Sequence, residues 1–126
     1  MREILFRGKT EKGKWIEGDL YQSRLKSVFM ISYYTEHGNR MTEHIIFETV
    51  GQFTGLTDKN GKKIFEGDIV DYKEEYGEIA YDNEQAMFNV LFDTWCTDFD
   101  HIYPYELEVI GNIHDNPELL GGAANA

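Results

Sequence analysis

VGQFTGLTDKNGKKIFEGDIVDY, residues 50–72, is the stretch from which a fold can be read. Val50 and Phe53 precede a polar reversal at Asp58-Lys59-Asn60-Gly61, and Ile64 and Phe65 follow it. Asn-Gly is the strongest short hairpin signal, because both residues tolerate positive φ. Glu66-Gly67-Asp68 is a second reversal, and Ile69-Val70-Asp71-Tyr72 leaves it as a third strand. The stretch therefore predicts a tight β-meander.

The same pattern has an echo near the N-terminus. Phe6-x-Gly8-x-Thr10-Glu11-Lys12-Gly13-Lys14 precedes Ile16-Glu17-Gly18-Asp19-Leu20, as Phe53-x-Gly55-x-Thr57-Asp58-Lys59-Asn60-Gly61-Lys62 precedes Ile64-Phe65-Glu66-Gly67-Asp68-Ile69. Either one hairpin is used twice, with a Gly-Asp turn closing each copy, or turn chemistry has converged on few residue types. Two copies fall short of the roughly three that a solenoid needs.

Outward from there the chain reads as short strands separated by Gly, Asn and Asp turns. Strands are expected around Ile4–Phe6, Trp15–Tyr21, Ser27–Tyr34, His44–Phe47, Glu78–Tyr81, Met87–Phe92 and Leu107–Asn112. Gln22 to Lys26 reads as a loop, and Lys73 to Gly77 as a charged turn. Asp93 to Tyr105 reads as an irregular loop or a helical turn or two before Pro104. Asp115 to Gly121 predicts a short C-terminal helix, with Asn116 as N-cap, Pro117 at the first position and Gly121 past the end. The fold class is mainly β. The Gly-Asp turn leading into Ile69-Val70 resembles SH3-like barrels, so a compact barrel-type core is expected over 50–120, after a β-rich N-terminal lobe at 1–49 and before a flexible tail at 121–126.

The residues also match a family. MREILFRGK (1–9) with WIEGDLY (15–21), FTGLTDKNGKKIFEGDIV (53–70) and LEVIGNIHDNPELL (107–120) resemble YopX-family proteins of phages and prophages, over nearly the whole chain. The resemblance implies a phage-related protein of undefined activity that assembles into oligomers. It carries no catalytic or binding residues onto this sequence.

Composition narrows the function classes. The formal charge is −11 over 126 residues. Residues 1–42 hold eight Lys/Arg and five Asp/Glu, whereas 43–126 hold four and eighteen. The acidic majority argues against broad phosphate-backbone binding and against anionic membranes. Surplus charge of this kind is ordinarily solvated surface. A sharper reading sets the mildly basic N-terminal lobe against an acidic surface of a neighbouring subunit. Cys96 is the lone cysteine, so the chain forms no internal disulfide, and no apolar run reaches the ~20 residues of a membrane span. With no signal-peptide layout after Met1-Arg2-Glu3, the expectation is the cytoplasm of a bacterial host.

The richest chemical cluster is Asp93-x-x-Cys96-x-Asp98-x-Asp100-His101. Carboxylate, thiol and imidazole could hold a divalent metal, yet no second ligand pair stands at familiar spacing, and His37 and His44 merely flank turns. The plainer reading is an acidic loop that turns its aromatics inward. Cys96 with a histidine is the minimal nucleophilic pair, but Trp95 beside it suits a packed site. Asp98 with Asp100, and Glu74 with Glu75, are carboxylate pairs of the sort that chance supplies among 23 acidic residues. Gly61-Lys62-Lys63 lacks the Gly-Lys-Ser/Thr ending of a phosphate loop. No catalytic, cofactor-binding or metal residue is therefore assigned, and no cofactor.

Tyr21, Tyr33, Tyr34, Tyr72, Tyr76, Tyr81, Tyr103 and Tyr105 are the best pointer to binding, since exposed Tyr is favoured at protein interfaces. The reading is a non-enzymatic, self-associating protein-interaction module, with a host or phage protein as a further partner. The alternatives are a nucleic-acid-associated accessory module using the basic N-terminal lobe and aromatics, and an acidic DNA mimic that occupies a host protein.

Overall fold

The computed structural model describes residues 2–23 and 28–121. The far end of the loop expected over Gln22–Lys26, the start of the strand expected from Ser27, and the tail beyond Gly121 lie outside them. The described chain holds eleven strands: β1 (Phe6–Lys9), β2 (Trp15–Gln22), β3 (Phe29–Tyr34), β4 (Arg40–His44), β5 (Gly51–Thr57), β6 (Lys63–Phe65), β7 (Asp68–Tyr72), β8 (Glu75–Asp82), β9 (Met87–Leu91), β10 (Cys96–Asp98) and β11 (Glu108–Asn112). Single 3-10 turns span Phe47–Thr49, Pro104–Glu106 and Pro117–Leu120. The strands form two antiparallel sheets, in the orders β4-β3-β2-β1-β5-β6 and β10-β9-β8-β7-β11. The mainly-β reading and the Asn60-Gly61 hairpin hold, but the 50–72 meander does not: β6 ends the six-stranded sheet beside β5, whereas β7 leaves the Gly67 reversal to join the other sheet between β8 and β11.

The chain divides into two units, Met1–Phe53 and Thr54–Ala126, with the division inside β5. In the first unit Ile16, Ile31 and Ile45 form the buried core, flanked by Leu20, Phe29, Tyr33 and Val50. In the second, Ile64, Val70, Ile79, Val90, Phe92, Ile102, Leu107 and Val109 do so. β8 alternates buried Gly77 and Ile79 with more open neighbours, the period-2 signature of a half-buried strand, whereas β7 is buried throughout Asp68-Ile69-Val70.

Three hairpin loops share one construction. Thr10, Thr35 and Asp58 each donate their amide to the carbonyl four residues on (Lys14, Asn39, Lys62), and each accepts, on its carbonyl, the amide of the glycine three on (Gly13, Gly38, Gly61). Their side-chain oxygens accept the amides of Lys14, Asn39 and Lys62. The glycines have φ of +84°, +83° and +80°, a left-handed conformation that costs a side chain dearly. The N-terminal echo is thus a shared turn, and Thr35-Glu36-His37-Gly38-Asn39 is a third instance. Beyond the turn the two copies part. Gly67, at φ +93°, makes a true reversal before β7, whereas Gly18 lies within an unbroken β2. A Cβ on Gly18 would stand 2.1 Å from the Ser32 carbonyl oxygen, so glycine serves close approach there and not a bend.

Several expectations are corrected. Neither sheet closes on itself, so the SH3-like barrel is not supported: β10 and β11 end the five-stranded sheet without pairing to each other. The C-terminal helix is not supported either. Pro117–Leu120 is a single 3-10 turn; its Gly121 stop is left-handed as expected, at φ +73°. Asn116 does not cap it, because its Oδ1 accepts the Asn112 amide at 3.2 Å instead. His44–Phe47 is not one strand: β4 stops at His44 and Phe47–Thr49 turns, held by the Thr49 hydroxyl on the Ile46 carbonyl. Lys73–Gly77 is mostly strand. Tyr72 pairs with Glu75, leaving a two-residue turn in which Lys73 and Glu74 have φ of 50° and 73°.

Candidate interaction surface on the five-stranded sheet

Cross-strand register fixes which side chains share the outer face of the second unit's sheet, because directly paired residues point the same way. Asp71 pairs with Tyr76, Glu78 with Leu91 and Leu91 with Cys96. Ala80 pairs with Asn89 and Asn89 with Asp98. The opposite face carries Val70, Ile79 and Val90 into the core. Leu91 is 40% exposed and Tyr76 42%, so two large side chains stand open on a face that also carries Glu78, Asn89 and Asp98 and, more buried, Ile69. Depressions of about 280 Å³ and 240 Å³ share Leu91. The first is lined by Tyr76, Glu78, Phe92, Asp93 and Leu120, the second by Ala80, Tyr81, Asp82, Asn89 and Cys96. Burial, with the Glu66 charge nearby, raises the Glu78 carboxyl above its ordinary value.

The Asp93–His101 cluster lands at the rim of this face, on and after β10. Asp98 holds it together: its Oδ1 lies 2.7 Å from His101 Nδ1 and accepts the Asp100 amide at 3.0 Å. The hydrogen bond to Asp98, then its charge, raises the His101 pKa, and the same bond lowers that of Asp98. Asp100 gives this turn its amide, so the pair Asp98 and Asp100 is turn chemistry. Cys96 is an exposed free thiol. Trp95 stacks on Phe92 at 4.5 Å and 13°, and its indole N–H reaches Glu75 Oε1 at 3.4 Å. Among the described residues no three His, Cys, Asp or Glu side chains come together as a metal set. Glu74 lies in the Lys73-Glu74 turn, its amide donating to Asp71, and Glu75 opens β8.

The tyrosines separate by role. Tyr72 packs against the core and against Phe92 at 6.0 Å. Tyr81 meets Phe88 edge-on at 5.2 Å. Tyr103 and Tyr105 stack at 5.2 Å and 5°, both exposed. In the first unit Tyr33 donates its hydroxyl to Glu43, and that bond raises its pKa. Tyr34 lies under the Arg40 guanidinium at 5.4 Å, and Tyr21 is exposed on β2. His37 lies in the Thr35–Asn39 turn. His44 ends β4 and lines, with Thr10, Lys12, Phe29 and Glu43, a wider depression of about 620 Å³ whose charged groups are of both signs. Lys62 and Lys63 lead from the hairpin turn into β6, and the Lys62 amide donates to Asp58 Oδ1 at 2.9 Å.

Sequence reasoning passed over Leu91, Glu78 and Ala80. In Met87–Phe92 only Asn89, two residues before Leu91 and on its face, breaks the apolar run, so the alternation that marks Leu91 as outward is faint. The available signal was the pairing with Glu78-x-Ala80, whose parity is legible once the register is known.

No curated protein matched the sequence. Among solved structures, the crystal structure of protein EF1440 from Enterococcus faecalis is similar, at 27% identity and a TM-score of 0.59, covering 95% of this chain and 99% of that one. The family model described as YopX protein matches residues 5–121. A match of that extent, across both units and all eleven strands, makes the chain a member of the YopX family.

Proposed function

We propose that this YopX-family protein is a non-enzymatic, self-associating protein-interaction module, encoded by a phage or prophage and working in the cytoplasm of a bacterial host. The observation that carries the reading is the outer face of the five-stranded sheet, where Leu91 and Tyr76 stand open between shallow depressions. Exposed apolar groups rimmed by polar ones mark protein-contact surfaces. The perturbed groups nearby, Asp98 and His101, spend their interaction on a turn. The free thiol of Cys96 suits a reducing compartment.

Sedimentation equilibrium of the wild type and of Leu91→Lys tests this. The lysine replaces the apolar anchor and sits beside Glu78 and Asp93, so the fold is expected to hold. Wild type should associate and Leu91→Lys should associate at least ~10-fold more weakly, about 1.4 kcal/mol. A wild type that stays monomeric at every concentration overturns the reading.

A further inference from the structure

Glu43 stands on the face of the first unit's sheet that carries the apolar core. It pairs with Ile31 in the β3–β4 ladder, and directly paired residues point the same way, so it shares the side on which Ile16, Ile31 and Ile45 pack. It is half-buried there. Among the described residues its carboxylate has one hydrogen-bond partner, the Tyr33 hydroxyl, which donates to Oε2. Oε1 keeps its accepting capacity. A carboxylate drawn out of water is costly unless its acceptors are filled, so an inward Glu with capacity to spare points to a further donor.

Glu43 lines a depression of about 620 Å³, within the roughly 300–1,000 Å³ of small-molecule sites. Backbone bonds fix its walls. The chain leaving β4 crosses from β3 to β1: the Ile45 amide donates to the Phe29 carbonyl at 3.0 Å and the Ile46 amide to the Lys9 carbonyl at 2.8 Å. The Thr10–Lys14 turn and the end of β4 thereby open onto one cavity. Val28, Phe29 and Ile45 give it an apolar floor, and Phe29 is backed by the Phe47 ring at 4.5 Å. Glu11 and Lys12 from the turn, with Glu43 and His44 from β4, give it a polar rim. The Lys12 and His44 side chains make no hydrogen bond or ion pair among the described residues. Unspent donors and acceptors therefore surround an apolar floor.

We propose that this cavity binds a small zwitterion with an apolar body, a free amino acid or a dipeptide. Its ammonium lies on Glu43, its apolar side chain on Phe29, Val28 and Ile45, and its carboxylate toward Lys12. Charge-assisted hydrogen bonds at both ends fix its orientation. Two carboxylates against one ammonium on the rim disfavour a polyanion such as a nucleotide. A wholly apolar ligand would desolvate Glu43 further without filling Oε1. The site lies within the first unit and draws nothing from the self-association reading.

Amide chemical-shift titration of the isotope-labelled protein with L-leucine, L-leucyl-L-leucine and N-acetyl-L-leucine tests this. L-leucine or the dipeptide should shift the Phe29, Glu43, His44 and Ile45 amides saturably, and the tighter of the two identifies the natural source. N-acetyl-L-leucine, which lacks the ammonium, should bind at least ~10-fold more weakly than L-leucine. Glu43→Gln keeps the size of the side chain and an acceptor for the Tyr33 hydroxyl, and should weaken L-leucine by at least ~10-fold. No saturable shift with either zwitterion overturns the proposal. So does N-acetyl-L-leucine that binds the wild type as tightly as L-leucine, a comparison that needs no variant. So does Glu43→Gln that binds like the wild type at an unchanged thermal midpoint.

Discussion

Asp58 shows how one side chain anchors a hairpin. It is 5% exposed, yet its carboxylate accepts three backbone amides: Oδ1 takes Asn60 and Lys62, each at 2.9 Å, and Oδ2 takes Val109 at 2.9 Å. Burial opposes its ionisation, but the amides of Val109, Lys62 and Asn60, with the Lys62 charge, outweigh it and hold its pKa below the ordinary value. A lowered folded pKa means that the stabilisation is present above the unfolded value, about 3.9, and is lost as pH falls through the folded one. Asp58→Ala strands three donors and should cost on the order of 3 kcal/mol at neutral pH. Its difference from wild type in urea unfolding should shrink below about pH 4. An undiminished difference in acid would show that the amides do not depend on the charge. Thr10 and Thr35 fill the same place in their turns with a hydroxyl; only Asp58 adds a contact 51 residues away.

Among elements, the turn between β7 and β8 is the one whose residues fit its backbone least. Two-residue hairpins favour Asn-Gly, because both positions need positive φ. Here the positions are Lys73 and Glu74, at φ 50° and 73°, with the Glu74 amide tied to Asp71 Oδ1 at 2.9 Å. Replacing the pair by Lys73→Asn with Glu74→Gly should raise stability by about 0.5–2 kcal/mol, read as a higher thermal midpoint. No gain would mean that the flanking strands, not the turn, set its energy. The reversal was legible within Lys73–Gly77 but its two-residue length was not, because hairpin pairing of Asp68–Tyr72 with Glu75–Asp82 overrides local propensity. Asn60-Gly61 was legible because propensity and pairing agree. Gly18 is the converse case, a Gly-Asp dipeptide that copies a turn signal and sits mid-strand; Gly18→Ala should cost several kcal/mol, about 3 or more, by driving a methyl into the Ser32 carbonyl. Wild-type stability in that variant would show that β2 and β3 can separate without loss.

At the scale of the molecule, charge is concentrated where the core is larger. The whole chain carries −11, and most of its acidic residues lie beyond residue 42. Like-charge repulsion opposes the folded state and is screened by salt. Raising sodium chloride from ~20 mM to ~500 mM at pH 7 should raise the thermal midpoint by a few degrees, and a fall would place favourable ion pairs above repulsion. The ion pairs Arg40–Asp19 at 3.7 Å and Lys59–Glu108 at 3.5 Å are exposed and contribute little against it.

The sequence by itself determined most of the strands, though not β4 or β10, with the Asn-Gly hairpin and the family, because turn residues, aromatic density and period-2 patterning act over a few neighbours. It determined the composition of the Asp93–His101 cluster but not its geometry. Tertiary structure alone decided that the sheets stay open, that Leu91 stands open on the outer face beside Glu78, and that Asp98 with His101 locks a turn. The first two depend on how strands pair, where a shift of one residue would send every side chain to the other face; the third joins residues three apart and depends on how the chain turns after β10.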